Sequence, residues 1–242
     1  MASNYISDLK AGRLQTFLGT ASVVVDDPNK LRASPGEGPF HVGNKLYNTL
    51  LSARKEVLIF TPYFVPEDYG SDILEGLVAR GLRVRIVTNS LASTNHAYVH
   101  GGYAPYRKRL LASGVEFLEV RADAPMIIDG SNSSLVLHSK LAIVDRKTLF
   151  VGSTNIDPRS IRQNTEVGLV INSMDLADNI QSRFEAVSSD YVFRVLRNPG
   201  GELEWVYEGS QGTETFKTEP GARSWNKFIA KMADLLPIEN QL

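Results

Sequence analysis

The sequence predicts an α/β fold, a mixed β-sheet sandwiched between helices on both faces, and three observations carry that prediction. Between residues 41 and 120, amphipathic segments with helical spacing alternate with short apolar runs, the rhythm of a layered sheet covered on both sides. Beyond residue 135 the apolar runs follow one another with little but turn chemistry between them, so the sheet is parallel early and antiparallel later. A chain of 242 residues, 43% of them hydrophobic, buries roughly 70% of its unfolded surface and needs neither disulfide nor metal to hold a core.

Residues 1–34 read as an irregular lead-in with one extended run, Ala21 to Val25, before the turn-forming Asp26-Asp27-Pro28-Asn29. Loop chemistry continues through Pro35-Gly36-Glu37-Gly38-Pro39. A helix near His41 to Arg54 carries Val42, Leu46, Leu50 and Leu51 on one side and leads into a buried strand at Val57 to Phe60. A helix near Ser71 to Arg80 stops at Gly81, and strand Arg83 to Thr88, helix Tyr103 to Ala112 and strand Val115 to Val120 follow.

Two apolar strands, Leu135 to Val144 and Leu149 to Ser153, flank a tight turn, and a third runs from Glu166 to Ile171. Residues 175–187 form another amphipathic helix with Leu176, Ile180, Phe184 and Val187 inward. In the tail, Ser224 caps a helix in which Trp225, Phe228, Ile229, Met232, Leu235 and Leu236 make one apolar stripe before Pro237 ends it. Such a stripe either docks on the domain or presses into a bilayer surface.

Charge is nearly balanced, 26 basic against 27 acidic residues, so no global field captures nucleic acid or an anionic membrane and any such binding is local. The absence of cysteine excludes disulfide frameworks and Cys-based zinc sites. No run approaches a membrane span, and the first 30 residues lack the order of a signal peptide.

The chemistry concentrates in one constellation. In the strand from Leu135, alternation puts His138 and Lys140 on one face and Leu137, Leu141 and Ile143 on the other, so imidazole and ammonium point the same way about 7 Å apart. Asp145 follows Lys140 after four residues, and Gly152-Ser153-Thr154-Asn155 follows Asp145 after six. Single residues of these types are usually structural; six of them at fixed spacing are not a chance pattern.

This constellation resembles the signature of the phospholipase D superfamily, His-x-Lys, Asp and Gly-Ser-x-Asn at the same intervals, without a departure. The resemblance implies a phospholipase D-like fold and phosphodiester transfer through a phosphohistidine, with no cofactor and no metal. One histidine attacks phosphorus and a second protonates the leaving alcohol. Lys140, Ser153 and Asn155 suit the non-bridging oxygens. By the same similarity Glu166, 28 residues after His138, is the expected acceptor on the other ring nitrogen of that histidine. Asp145 is expected to hold the turn or a basic neighbour rather than to react.

Members of the superfamily build one site from two such motifs, and this sequence has one: His41, His96 and His100 have no lysine two positions on. The segments Thr61-Pro62-Tyr63-Phe64-Val65-Pro66, Thr88 to Thr94, Tyr103 to Val120 and Leu235-Leu236-Pro237-Ile238-Glu239 resemble the C-terminal lobe of bacterial cardiolipin-synthase-like proteins. On that view 1–34 is the segment joining two lobes, 35–210 the catalytic lobe and 211–242 a tail. The second motif comes from a homodimer partner or from a separate N-terminal half. His138 is the general acid/base in the second case; in the first, one copy attacks and its mate acts as acid.

The resemblance implies phosphatidyl transfer on glycerophospholipids such as phosphatidylglycerol, at the cytoplasmic face of a bacterial membrane and peripheral to it. Tyr63 and Phe64, just past a strand end, are candidates to line the lipid or alcohol pocket, and Tyr98, His100, Tyr103 and Arg107 to meet a head group. Two alternatives stand beside this reading: a homodimeric nuclease, and a non-catalytic lobe for dimerisation or membrane docking. The basic run Arg107-Lys108-Arg109 is too short to track a nucleic-acid backbone.

Overall fold

The computed structural model describes residues 5–32, 41–130 and 132–234. The first half of the chain alternates. After α1 (Tyr5–Lys10), β1 (Thr20–Val25) and a 3-10 turn (Pro28–Arg32) come α2 (His41–Leu51), β2 (Glu56–Phe60), α3 (Glu67–Ala79), β3 (Arg83–Asn89), α4 (Ala97–Ser113) and β4 (Glu116–Val120). The second half opens with α5 (Ala124–Asp129), β5 (Leu141–Val144), β6 (Thr148–Gly152), α6 (Pro158–Arg162), β7 (Val167–Asn172) and α7 (Met174–Tyr191). It closes with β8 (Val192–Arg197), β9 (Leu203–Gly209), β10 (Gly212–Phe216) and α8 (Ser224–Asp234).

All ten strands join one mixed sheet in the order β1-β7-β6-β5-β2-β3-β4-β8-β9-β10. Strands β2, β3 and β4 run parallel because α3 and α4 carry the chain back between them, while every other pairing is antiparallel. One sheet face packs under α2, α3 and α4 through Val42, Leu46, Leu50, Leu74, Leu77 and Leu110, which meet Ile59, Val84, Ile86 and Phe117. The other packs under α7, where Leu176, Ile180 and Phe184 cover Leu58, Phe60, Ile143 and Leu149. The sheet is thus covered on both faces, as the alternating half of the sequence predicts.

Several boundaries differ from the sequence reading. The strand expected from Leu135 is a ladder only from Leu141; residues 132–140 run without assigned strand structure. Helix α4 begins six residues before Tyr103, α3 four before Ser71, and α7 ends at Tyr191 rather than 187. In the lead-in the expected extended run at Ala21 to Val25 is β1, which pairs with β7 over six residues, while α1 is unexpected. Strands β8, β9 and β10, unanticipated, extend the sheet beyond β4. Helix α8 packs on α4 with Ala230 buried but leaves Trp225 67% and Phe228 54% exposed, so the stripe is not its docking face. The expected Pro35–Pro39 loop and the helix end at Leu235 to Pro237 lie outside the described residues.

A buried ion pair fastens the lead-in. The Asp26 carboxylate accepts the Lys30 ammonium at 2.6 Å and the N–H groups of Val42 and Glu166 at 2.9 and 3.0 Å. Lys30 also donates to the Ser160 carbonyl at 3.3 Å, and both charged side chains are fully buried. Lys30→Met strands a buried carboxylate, so urea unfolding at neutral pH is expected to register a loss of about 3–5 kcal/mol; a loss under about 1 kcal/mol would mean the pair holds nothing.

Candidate active site

The site forms where β5 begins and β6 ends, beside the C-terminal end of β2. The ladder between β5 and β6 runs on past its assigned end, because the Gly152 N–H donates to the Lys140 carbonyl at 3.1 Å. Side-chain alternation also persists upstream: Leu135, Leu137, Leu141 and Ile143 all pack toward α7, while Ala142 and Val144 join the opposite core. His138 and Lys140 share the parity of Ala142, as the sequence predicts; His138 is exposed and Lys140 partly so.

Residues 132–140 hold their extended course partly through a side chain. Asn89, buried at the end of β3, accepts the Leu137 N–H at 2.8 Å and donates to the Leu137 carbonyl at 3.1 Å. One amide thereby satisfies both backbone groups of the residue before His138, in place of a neighbouring strand. Ser93 and the Pro62 carbonyl hold Asn89 in turn. A lone asparagine at a strand end carries no signal of this role in the sequence.

Across from Lys140, Gly152 lies so close to β7 that a Cβ would fall 2.4 Å from the Val167 carbonyl oxygen, so no other residue fits without moving the strand. Ser153 then donates through Oγ to the Glu166 carboxylate and accepts the Val167 N–H at 3.1 Å. Glu166 is buried, and among the described residues its carboxylate is engaged by Ser153, not by the His138 ring. The expected tautomer-fixing contact is therefore not made here. Asn155 is buried, donating to Ser160 at 3.4 Å, while its Oδ1 has no partner among the described residues.

The electrostatics are local. Burial lowers the Lys140 pKa, opposed by the Glu166 and Asp157 carboxylates, and the ammonium donates to the His138 carbonyl at 3.1 Å. Asp157 caps α6 by accepting the Ser160 N–H at 2.6 Å. Its own pKa is pushed up to about 6, chiefly by burial and against the Ser160 hydrogen bonds. Among the described residues no group of histidine, aspartate and glutamate side chains is arranged to hold a metal ion.

Other expected residues fall elsewhere. Asp145 lies at the far end of β5, where it accepts the backbone N–H groups of Arg54, Lys55 and Glu56 at 3.0, 2.8 and 3.0 Å. Burial opposes its ionisation, but these three donors outweigh that and hold its pKa below the usual range. Tyr63 is half-buried edge-on to His96, near Asp157, at the site end of the sheet. Phe64 is only 1% exposed and packs in the core against Tyr103 and Phe117, bordering with Tyr63 only a cavity of about 10 Å³, too small for a lipid chain. Arg107 is buried between Glu119 and Glu219, with His100 and Tyr103 on the same carboxylates. His100, Tyr103 and Arg107 thus belong to a buried ion network, with His100 and Arg107 also bordering a cavity of about 420 Å³ beside Lys108, Lys217 and Lys227, and Arg109 is taken up by Asp68, Asp72 and Glu75.

Residues 46–188 match the family model described as cardiolipin synthase, PLD-like domain. This chain belongs to that family. Among curated relatives, cardiolipin synthase C of Escherichia coli is 34% identical over 98% of this chain and 51% of its own length. Cardiolipin synthase A of Pectobacterium carotovorum is 29% identical over 68% of the chain and 30% of its own length. The chain thus spans about half or less of the curated relatives it matches. Among solved structures, a phosphatidylserine synthase from Haemophilus influenzae superposes with a TM-score of 0.57 at 15% identity, over 94% of this chain and 49% of that one. Nuc, a phospholipase D family member from Salmonella typhimurium, superposes at 0.52 with 21% identity, over 71% of this chain and 97% of that one. These two similarities establish the phospholipase D-like fold.

Two measurements check the geometry. Asn89→Ala is expected to speed amide exchange at Leu137 by about tenfold or more, the loss of one buried hydrogen bond, with a smaller effect in the centre of β3. Asp157 has a folded pKa near 6 against 3.8 for the free group. Its contribution to stability is full below the lower value and lost as pH rises through the higher one. Relative to Asp157→Asn, the parent should therefore lose stability between about pH 4 and pH 6.

Proposed function

We propose that this chain supplies one half of a two-motif active site that transfers phosphatidyl groups between glycerophospholipids through a phosphohistidine. The observation that carries this reading is the convergence of His138, Lys140, Ser153, Asn155 and Glu166 on one end of the sheet in a member of the cardiolipin synthase family. The exposed His138 imidazole serves as nucleophile or as general acid, according to which lobe faces it. Lys140, Ser153 and Asn155 offer hydrogen-bond donors to the non-bridging phosphoryl oxygens, where charge builds in the transition state.

A second lobe, from another copy or from a separate N-terminal half, completes the site. An apolar surface beside the site supports this: Val23 and Val25 on β1, Val167 on β7 and Val151 on β6 lie on one sheet face by their cross-strand pairing, and all are exposed. A contiguous apolar patch next to half a site suits a partner lobe. A placement on the cytoplasmic face of a bacterial membrane, peripheral to it, fits the stacked, exposed Trp225 and Phe228 with Lys227 between them. Among the described residues no helix is long and apolar enough to cross a membrane. The nuclease alternative is disfavoured because the Arg107–Arg109 cations are already paired with carboxylates.

Mass spectrometry of products formed from phosphatidylglycerol vesicles in chelator tests the proposal. Cardiolipin or phosphatidic acid is expected from the parent, alone or with an N-terminal lobe supplied, and His138→Ala should cut the rate at least about a hundredfold in either role. Equal rates from the two would exclude His138 from the chemistry.

A further inference from the structure

A second feature adjoins His138 on the α7 side. The end of α7 and the 135–139 segment flank an open cavity of about 300 Å³, at the lower end of the range of small-ligand pockets, about 300–1000 Å³. Phe60, Val87 and Val120 form its floor at the ends of the three parallel strands, and Leu137 and Phe184 its walls. His138 and Ser139 border it on one side and Val187 on another. Among the described residues no lysine, arginine, aspartate or glutamate lines it, and its polar groups are those of His138, Ser139, Ser188 and Tyr191.

That lining selects an occupant. A nucleic-acid backbone or a polar head group needs cations along its path, and this cavity offers no lysine or arginine among the described residues and is otherwise mostly apolar. A saturated hydrocarbon chain needs only apolar surface to leave water, at about 0.8 kcal/mol for each methylene buried. The His138 and Ser139 positions border the cavity, so one end of an occupant lies against the segment that carries the imidazole. We propose that the cavity seats an acyl chain of the phospholipid whose phosphodiester is handled at His138, and so serves as the site's selector for lipid over other phosphodiesters. This rests on the phosphatidyl-transfer reading and deepens it: burial of the chain, remote from the bonds that change, positions the phosphate against the imidazole.

The test uses a single-chain probe, decanoyl lysophosphatidylglycerol below its micelle concentration, with glycerophosphoglycerol as the same head group lacking the chain. Methyl NMR on Leu137 and Val187 is expected to show saturable shifts with the first and none with the second. Val187→Trp fills the cavity from a position 48% exposed, where the fold tolerates a larger side chain. It should weaken the lipid probe about tenfold or more, equivalent to losing about two buried methylenes. The turnover ratio of phosphatidylglycerol to bis(p-nitrophenyl) phosphate should fall with it.

No saturable shift in the parent, or equal affinity in parent and variant, would overturn the acyl site. So would a variant that shifts the sedimentation of the chain but not lipid affinity, because a partner's side chains would then occupy the cavity. If lipid binds as described while neither phosphodiester turns over, even with an N-terminal lobe supplied, the transfer reading fails and the binding cavity stands by itself.

Discussion

The close approach of β6 to β7 at Gly152 governs where Ser153 and Glu166 meet and fixes the backbone at Lys140. A side chain there would meet the Val167 carbonyl, so the two strands hold a register that sets Ser153 beside Glu166. The same glycine donates its N–H to the Lys140 carbonyl, which carries the ladder one residue past the start of β5 and fixes the backbone at Lys140. At the opposite end, Asp145 takes the N–H groups of three consecutive residues at the start of β2 and locks the hairpin against the parallel half of the sheet. A slip of one residue in this register would send each of these side chains to the wrong face.

Charge in this protein is organised by pairing rather than by net field. Buried cations are matched one to one or better: Lys30 by Asp26, Arg107 by two glutamates, Arg85 by Glu56 and Glu185. Removing one partner from such a set costs far more than its presence contributes. Beside these closed networks, the site end keeps an exposed imidazole and a partly exposed ammonium, the combination open to an incoming anion.

Much of this was legible in the sequence, for physical reasons that can be named. The parity of His138 and Lys140 survives because alternation is a property of extended backbone, whether or not a neighbouring strand is present. What failed were features that depend on tertiary partners. The stretch before Leu141 looked like strand because its residues suit one, yet its backbone is held by Asn89, an interaction no pattern encodes. Helix α4 begins with Gly101 and Gly102 in its first turns, poor helix formers that burial against the sheet overrides. Strand β8 was missed because α7 runs into it with no glycine or proline between, at Tyr191 and Val192. Phe64 illustrates the limit at the site: a position just past a strand end does not say whether the ring turns inward.

A chain that holds half a site turns over only when paired, so the measurement to make is the rate per chain against chain concentration. The assay takes a soluble phosphodiester, with sedimentation reporting the assembly state in the same samples, and is repeated with a cardiolipin synthase N-terminal lobe added. The rate per chain is predicted to track the two-lobe species, rising with dimer fraction or with the added lobe and vanishing in the monomer. A rate that stays constant in a chain shown to be monomeric would contradict it.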